Sequence, residues 1–201
     1  DFGPQSPHTK DALRNMDAHL QDLWENIQQG PRKDSVNLIV VSDHGMTLVS
    51  PERKIECKKY LNPKWYERVE GNLPAQIYCK KGYVDSVYNA LKDLPHQRVW
   101  RKKDIPAYLH YGTHVNIGDI VVDPQEGWLV TDDKVKTGGM HGYDPTYSDM
   151  QAIFRAMGPS FRHITYPHFQ NVNVYALLCH LIGITPAPND GNFQEVSPLL
   201  N

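Results

Sequence analysis

Val36-Asn37-Leu38-Ile39-Val40-Val41-Ser42-Asp43-His44-Gly45-Met46 is an apolar run that halts at a carboxylate, an imidazole and a glycine. Short and rich in β-branched residues, it reads as a strand buried on both faces of a parallel sheet. Its polar tail then falls at the carboxyl end of the strand. Ligands of open α/β sheets bind at that edge, which puts Asp43 and His44 where chemistry is done. Neighbours on a straight strand point to opposite faces, so the two serve one site only if the backbone bends beside them, and Gly45 supplies the bend. A carboxylate oxygen and a neutral imidazole nitrogen together suit a zinc-like ion. The competing reading is a solvated aspartate and a hydrogen-bonded histidine at an ordinary strand end.

Upstream, Ser6-Pro7 offers an N-cap with proline at the first helical position. Leu13, Met16, Leu20, Leu23, Trp24 and Ile27 then recur at helical spacing. This predicts a helix over 7–29 that packs one face inward, ends near Gly30 and feeds the Val36 strand in a short αβ unit. Downstream, residues 47–72 mix charge, proline and aromatics without a period, and read as loop and short helix beside the site. Leu73–Cys79 reads as a strand, Val84, Val87, Tyr88 and Leu91 mark a helix, and Val99-Trp100 a further strand. Ile117–Val122, the turn Asp123–Gly127 and Trp128–Val130 read as a hairpin. Residues of about 73–131 therefore form a small α+β insertion covering one side of the cleft.

Gly138-Gly139-Met140-His141-Gly142-Tyr143-Asp144-Pro145 follows. Glycine in a rigid place costs backbone entropy, so this loop presents His141 toward something, unless it is a plain surface loop. Gln151–Ala156 reads as a second core strand. Asn171 reads as the cap of a last helix over 171–182, whose stripe Val174, Leu177, Leu178, Leu181 and Ile182 ends at Gly183.

Composition narrows the class. The 201 residues suffice for one sizeable core, and no stretch reads as a linker. A net charge of −2 and short, scattered basic clusters leave no electrostatic footprint for nucleic acid. No apolar stretch approaches the ~20 residues of a membrane span. The opening Asp1-Phe2-Gly3-Pro4 is neither an initiator methionine nor a signal peptide, and is expected to be internal to a longer protein. Cys57, Cys79 and Cys179 are too few for a disulfide framework and allow one bridge or three thiols.

Taken together, Gly3-Pro4-Gln5-Ser6, Ser42-Asp43-His44-Gly45-Met46, His141-Gly142-Tyr143-Asp144, Ile153–Phe161, Asn173-Val174-Tyr175 and Gly183–Asn189 resemble the nucleotide pyrophosphatase/phosphodiesterase family of the alkaline phosphatase superfamily. The motifs stand in the family's order across essentially the whole chain. The resemblance implies the C-terminal portion of an alkaline-phosphatase-like α/β/α sandwich, with residues 1–201 belonging to one catalytic domain. It implies two Zn2+ ions in the complete domain: Asp43 and His44 hold the zinc beside the nucleophile, and His141 is a ligand of the other. The family's nucleophilic threonine and the rest of its metal ligands precede the Gly-Pro motif, so no catalytic nucleophile is expected in this chain. The implied reaction is zinc-dependent hydrolysis of a phosphodiester or pyrophosphate through a phospho-threonine intermediate. The implied partners are a nucleotide, lysophospholipid or choline ester and the N-terminal half of the same domain, in an extracytoplasmic setting. Two rivals remain: a catalytically silent relative that keeps the pocket for binding, and another hydrolase or mutase of the superfamily.

Overall fold

The computed structural model describes residues 2–201. Helix α1, Pro7–Gln29, begins as its sequence requires: the Ser6 hydroxyl oxygen accepts from the Thr9 N–H at 3.1 Å, and proline takes the first turn. The chain then makes β1 (Leu38–Val41), β2 (Thr47–Val49), β3 (Lys54–Ile55), β4 (Tyr66–Glu70), β5 (Ala75–Cys79), helix α2 (Val84–Leu91), β6 (Gln97–Arg101) and β7 (Ile120–Pro124). It finishes with β8 (Leu129–Val130), β9 (Gly138–Met140), β10 (Phe154–Met157) and helix α3 (Asn173–Ile182). These elements form two compact units, one of residues up to Asp11 with His44–Gln151, the other of Ala12–Asp43 with Ala152–Asn201.

In the second of these units β1 and β10 pair antiparallel, Leu38 opposite Met157 and Val41 opposite Phe154. The two apolar segments expected to share a sheet do so, but the pairing is not parallel. Composition carries no information on direction, which is set by the path of the chain between strands. Burial is also less than the run suggested: Leu38, Ile39 and Val40 are half-buried and Val41 is 47% exposed. The core of this unit lies under α3, where Leu177, Val196 and Leu199 are enclosed by Phe154, Phe161 and Phe169. Gly183 ends α3 in the left-handed conformation at φ 73°, its N–H reaching the carbonyls of Cys179 and His180. The helix starts at Asn173, so Asn171 is not its cap; the Asn171 amide donates to the Asp43 carbonyl at 3.1 Å.

On α1 the apolar stripe is present but only partly covered among the described residues: Leu20, Trp24 and Ile27 are half-buried. None of its residues is buried, and Leu13 and Met16 are 64% and 57% exposed. Spacing predicts a stripe; it does not say what closes over it.

The first unit carries an antiparallel sheet in the order β4-β5-β7-β6 with α2 packed against it. Ile77, Ile120 and Val122 from the strands and Val87 and Leu91 from the helix are fully buried and form its core. Strand β4 lies in the stretch read as loop and short helix. Glu67, Arg68 and Glu70 break the alternation there, which an edge strand facing solvent tolerates. The expected hairpin is not formed. β7 pairs with β5 and β6, while β8 turns away after Gly127 and runs parallel to β3, with Lys54 opposite Leu129 and Ile55 opposite Val130. Nearby, β2 and β9 pair antiparallel, Thr47 opposite Met140 and Val49 opposite Gly138. All three cysteines are thiols; Cys57 and Cys179 are buried. No helix among the described residues is long and apolar enough to cross a membrane.

Candidate active site

Asp43 and His44 follow β1, at the point where the chain leaves one unit for the other. Asn171 holds the backbone there by donating to the Asp43 carbonyl. The next residue explains its own identity. A Cβ on Gly45 would lie 2.0 Å from the Asp149 carbonyl oxygen, and the Gly45 N–H donates to the Met150 carbonyl at 3.0 Å. Gly45 is therefore required for a close backbone approach rather than for a left-handed turn. The Thr47 hydroxyl donates to the Asp149 carboxylate at 2.8 Å, a second tie to the same segment.

The β2–β9 register places Met140 opposite Thr47, and so brings the residue after β9 beside the residues before β2. His141 and His44 meet there with ring centroids 3.6 Å apart and planes inclined by 13°. The Gly45 carbonyl can only accept, so His44 Nδ1 donates to it across 2.7 Å. In the neutral ring that leaves the lone pair on Nε2, the arrangement by which a backbone carbonyl orients a metal-binding imidazole.

Past His141 the loop is anchored residue by residue. Gly142 stands at φ 103°, with the Leu73 carbonyl 3.1 Å from where a Cβ would be. Tyr143 is buried and its hydroxyl donates to the Trp128 carbonyl at 3.0 Å; burial pushes the phenol up to about 12. Asp144 is 3% exposed. It accepts from Arg98 Nη2 at 2.6 Å, the Tyr108 hydroxyl at 2.5 Å, and the Thr146 hydroxyl and N–H at 2.7 and 2.9 Å. Burial raises the affinity of this carboxylate for a proton, but the donors outweigh it and hold Asp144 well below the usual range. Arg98 is shared with Asp123, its cross-strand partner on β7, at 2.5 Å. There burial dominates and raises the Asp123 carboxyl despite the guanidinium. A cleft of about 160 Å³ walled by Trp100, Ile105, Leu109 and Tyr111 opens beside Gly142–Pro145.

Of the three residues expected to hold metal, His44 and His141 are brought together, and Asp43 precedes His44 directly. Among the described residues no three His, Cys, Asp or Glu side chains gather closely enough to hold an ion by themselves. Two imidazoles, one with its tautomer fixed, can each give a nitrogen to an ion, the remaining ligands coming from elsewhere. Sequence reading missed Arg98, Tyr108 and Asn171. Arg98 becomes visible once β6 is set against β7 in register, Tyr108 carries no local signal, and Asn171 reads locally as a helix cap, which conceals its bond to the Asp43 carbonyl.

Residues 1–144 match the family described as type I phosphodiesterase / nucleotide pyrophosphatase. The chain belongs to this family. Human ectonucleotide pyrophosphatase/phosphodiesterase family member 5 is 37% identical over 204 residues, covering 100% of this chain and 43% of its own length. Rat family member 7 is 34% identical over 210 residues, covering 99% of this chain and 48% of its own. Murine ectonucleotide pyrophosphatase/phosphodiesterase 5, solved as an inactive threonine-to-alanine variant in complex with AMP, superposes with a TM-score of 0.89 at 36% identity. It covers 100% of this chain and 55% of that one. The chain thus spans about half the length of the relatives it matches, and its fold is the mixed α/β, alkaline-phosphatase-like one expected from the motifs.

Proposed function

We propose that this chain is the C-terminal part of a zinc-dependent hydrolase of phosphodiester or pyrophosphate bonds, with Asp43, His44 and His141 among its metal ligands. The observation that carries the reading is the His44–His141 pair, two imidazoles from distant segments stacked at 3.6 Å with the His44 tautomer set by the Gly45 carbonyl. Family membership supports the reaction class, and the AMP complex of the murine relative supports a nucleotide-like substrate.

His44 and His141 would each give one neutral nitrogen and Asp43 one charged oxygen. Zinc held there supplies Lewis-acid charge that favours an ionised hydroxyl nucleophile and offsets charge on the phosphoryl oxygens. The chain's own part is positional. The Gly45 carbonyl holds the His44 ring, the β2–β9 pairing delivers His141, and the Tyr143 and Asp144 anchors keep it there. None of the three ligands is the nucleophile. That role falls to a threonine in the remainder of the domain, which agrees with the threonine-to-alanine variant of the murine relative being inactive. The relatives' designation as ectonucleotide enzymes supports an extracytoplasmic setting.

The test uses a protein of the relatives' full length containing this chain. Asp43→Ala and His141→Ala each reduce kcat for a nitrophenyl phosphodiester at least about 100-fold, and chelation followed by added zinc abolishes and restores turnover in the unmutated protein. A zinc-supplied protein inert toward nucleotide, lysophospholipid and choline esters would replace the hydrolase with the binding relative.

A further inference from the structure

The geometry points to Arg98 as a positioning residue for His141, acting through Asp144, so that the four-stranded sheet holds the site as well as flanking it. This rests on the metal-ligand reading of His141. Arg98 stands on β6 directly opposite Asp123 on β7, and one nitrogen, Nη2, reaches Asp123 at 2.5 Å and Asp144 at 2.6 Å. Asp144 is three residues beyond His141, and its other oxygen is taken by the Thr146 hydroxyl and N–H. The loop is therefore gripped on both sides of the imidazole. Ahead of it β9 is in register with β2; behind it the Tyr143 hydroxyl and the Asp144 carboxylate are fixed to the sheet unit.

The intervening backbone gives reason for such a grip. Gly142 at φ 103° is a conformation with many alternatives for a glycine, and His141 is stacked on the His44 ring. Removal of Arg98 takes the guanidinium from a buried carboxylate and cuts the loop's ion-pair tie to β6, leaving Asp144 to the Tyr108 and Thr146 donors. Trp100 keeps the guanidinium from swinging away, with the Arg98 Cζ 5.1 Å from its ring centre. Arg68 serves as the control: it pairs with Glu70 on the edge strand β4.

The experiment compares Arg98→Leu, Arg98→Lys and the control Arg68→Leu in the full-length protein with two readouts. In the metal-free proteins, hydrogen exchange of residues 138–147 quickens at least about tenfold in Arg98→Leu, is partly rescued in Arg98→Lys, and is unchanged in Arg68→Leu. In chelator competition, zinc affinity falls about 10- to 100-fold in Arg98→Leu, in the same order across the three variants, and kcat falls while KM for the aryl phosphodiester stays within about twofold. Folded Arg98→Leu with unchanged exchange, or with faster exchange and wild-type zinc affinity, would overturn the assignment. An unmutated protein that takes up no zinc overturns the metal reading itself, and the exchange arm still decides whether Arg98 orders the loop.

Discussion

At the scale of single residues, Gly45 and Asp144 fix the backbone on either side of the site. Gly45 lies so close to the Asp149 carbonyl that a methyl group cannot enter without moving backbone. Gly45→Ala is expected to destabilise by about 1–3 kcal/mol, measured by denaturant titration, and an unchanged midpoint would contradict the close approach. Asp144 provides a pH signature. Its folded-state proton affinity is below the ordinary value, so its stabilisation is complete above the unfolded carboxyl pKa of about 3.9 and is lost as pH falls through the folded value. Asp144→Asn should therefore be less stable than the unmutated protein at pH 7, with the gap closing as the pH drops below about 4. A gap constant from pH 7 to 3, read from thermal melts, would remove the charge from the explanation. Asp43, His44 and His141 stand out as candidates in the sequence because a carboxylate and two imidazoles interrupt apolar or glycine-rich sequence. Asp144 was legible only as a motif letter, and Arg98 not at all, because its meaning is a cross-strand register with Asp123.

At the scale of elements, helices were easier to see than strands. α1, α2 and α3 announce themselves through apolar spacing, through proline after serine, and through glycine at the end. Strand pairing did not follow from local pattern. β1 and β10 have the composition of central strands but pair antiparallel, and β7 and β8 sit either side of a turn yet join different neighbours. Short strands such as β3 carry too few residues for alternation to register. The α2–sheet core is the larger of the buried clusters in the first unit. Leu91 is fully buried there against the strand residues, and Leu91→Ala should cost about 2–5 kcal/mol in denaturant unfolding. A loss under about 1 kcal/mol would mean that α2 is not a structural part of this unit.

At the scale of the whole molecule, the chain spans about half the length of its relatives, and the apolar stripe of α1 is only partly covered among the described residues. Family membership covers residues 1–144 and agrees with motif order along the chain. The central claim is that distant segments deliver ligands to a two-zinc site. It is tested most directly by the equilibrium zinc stoichiometry of the full-length protein and of His141→Ala, determined by elemental analysis after dialysis at limiting free zinc. About two zinc ions per unmutated chain and about one in the folded variant are expected, because one zinc loses a nitrogen ligand while the other keeps Asp43 and His44. Equal zinc content in the two folded proteins would contradict it.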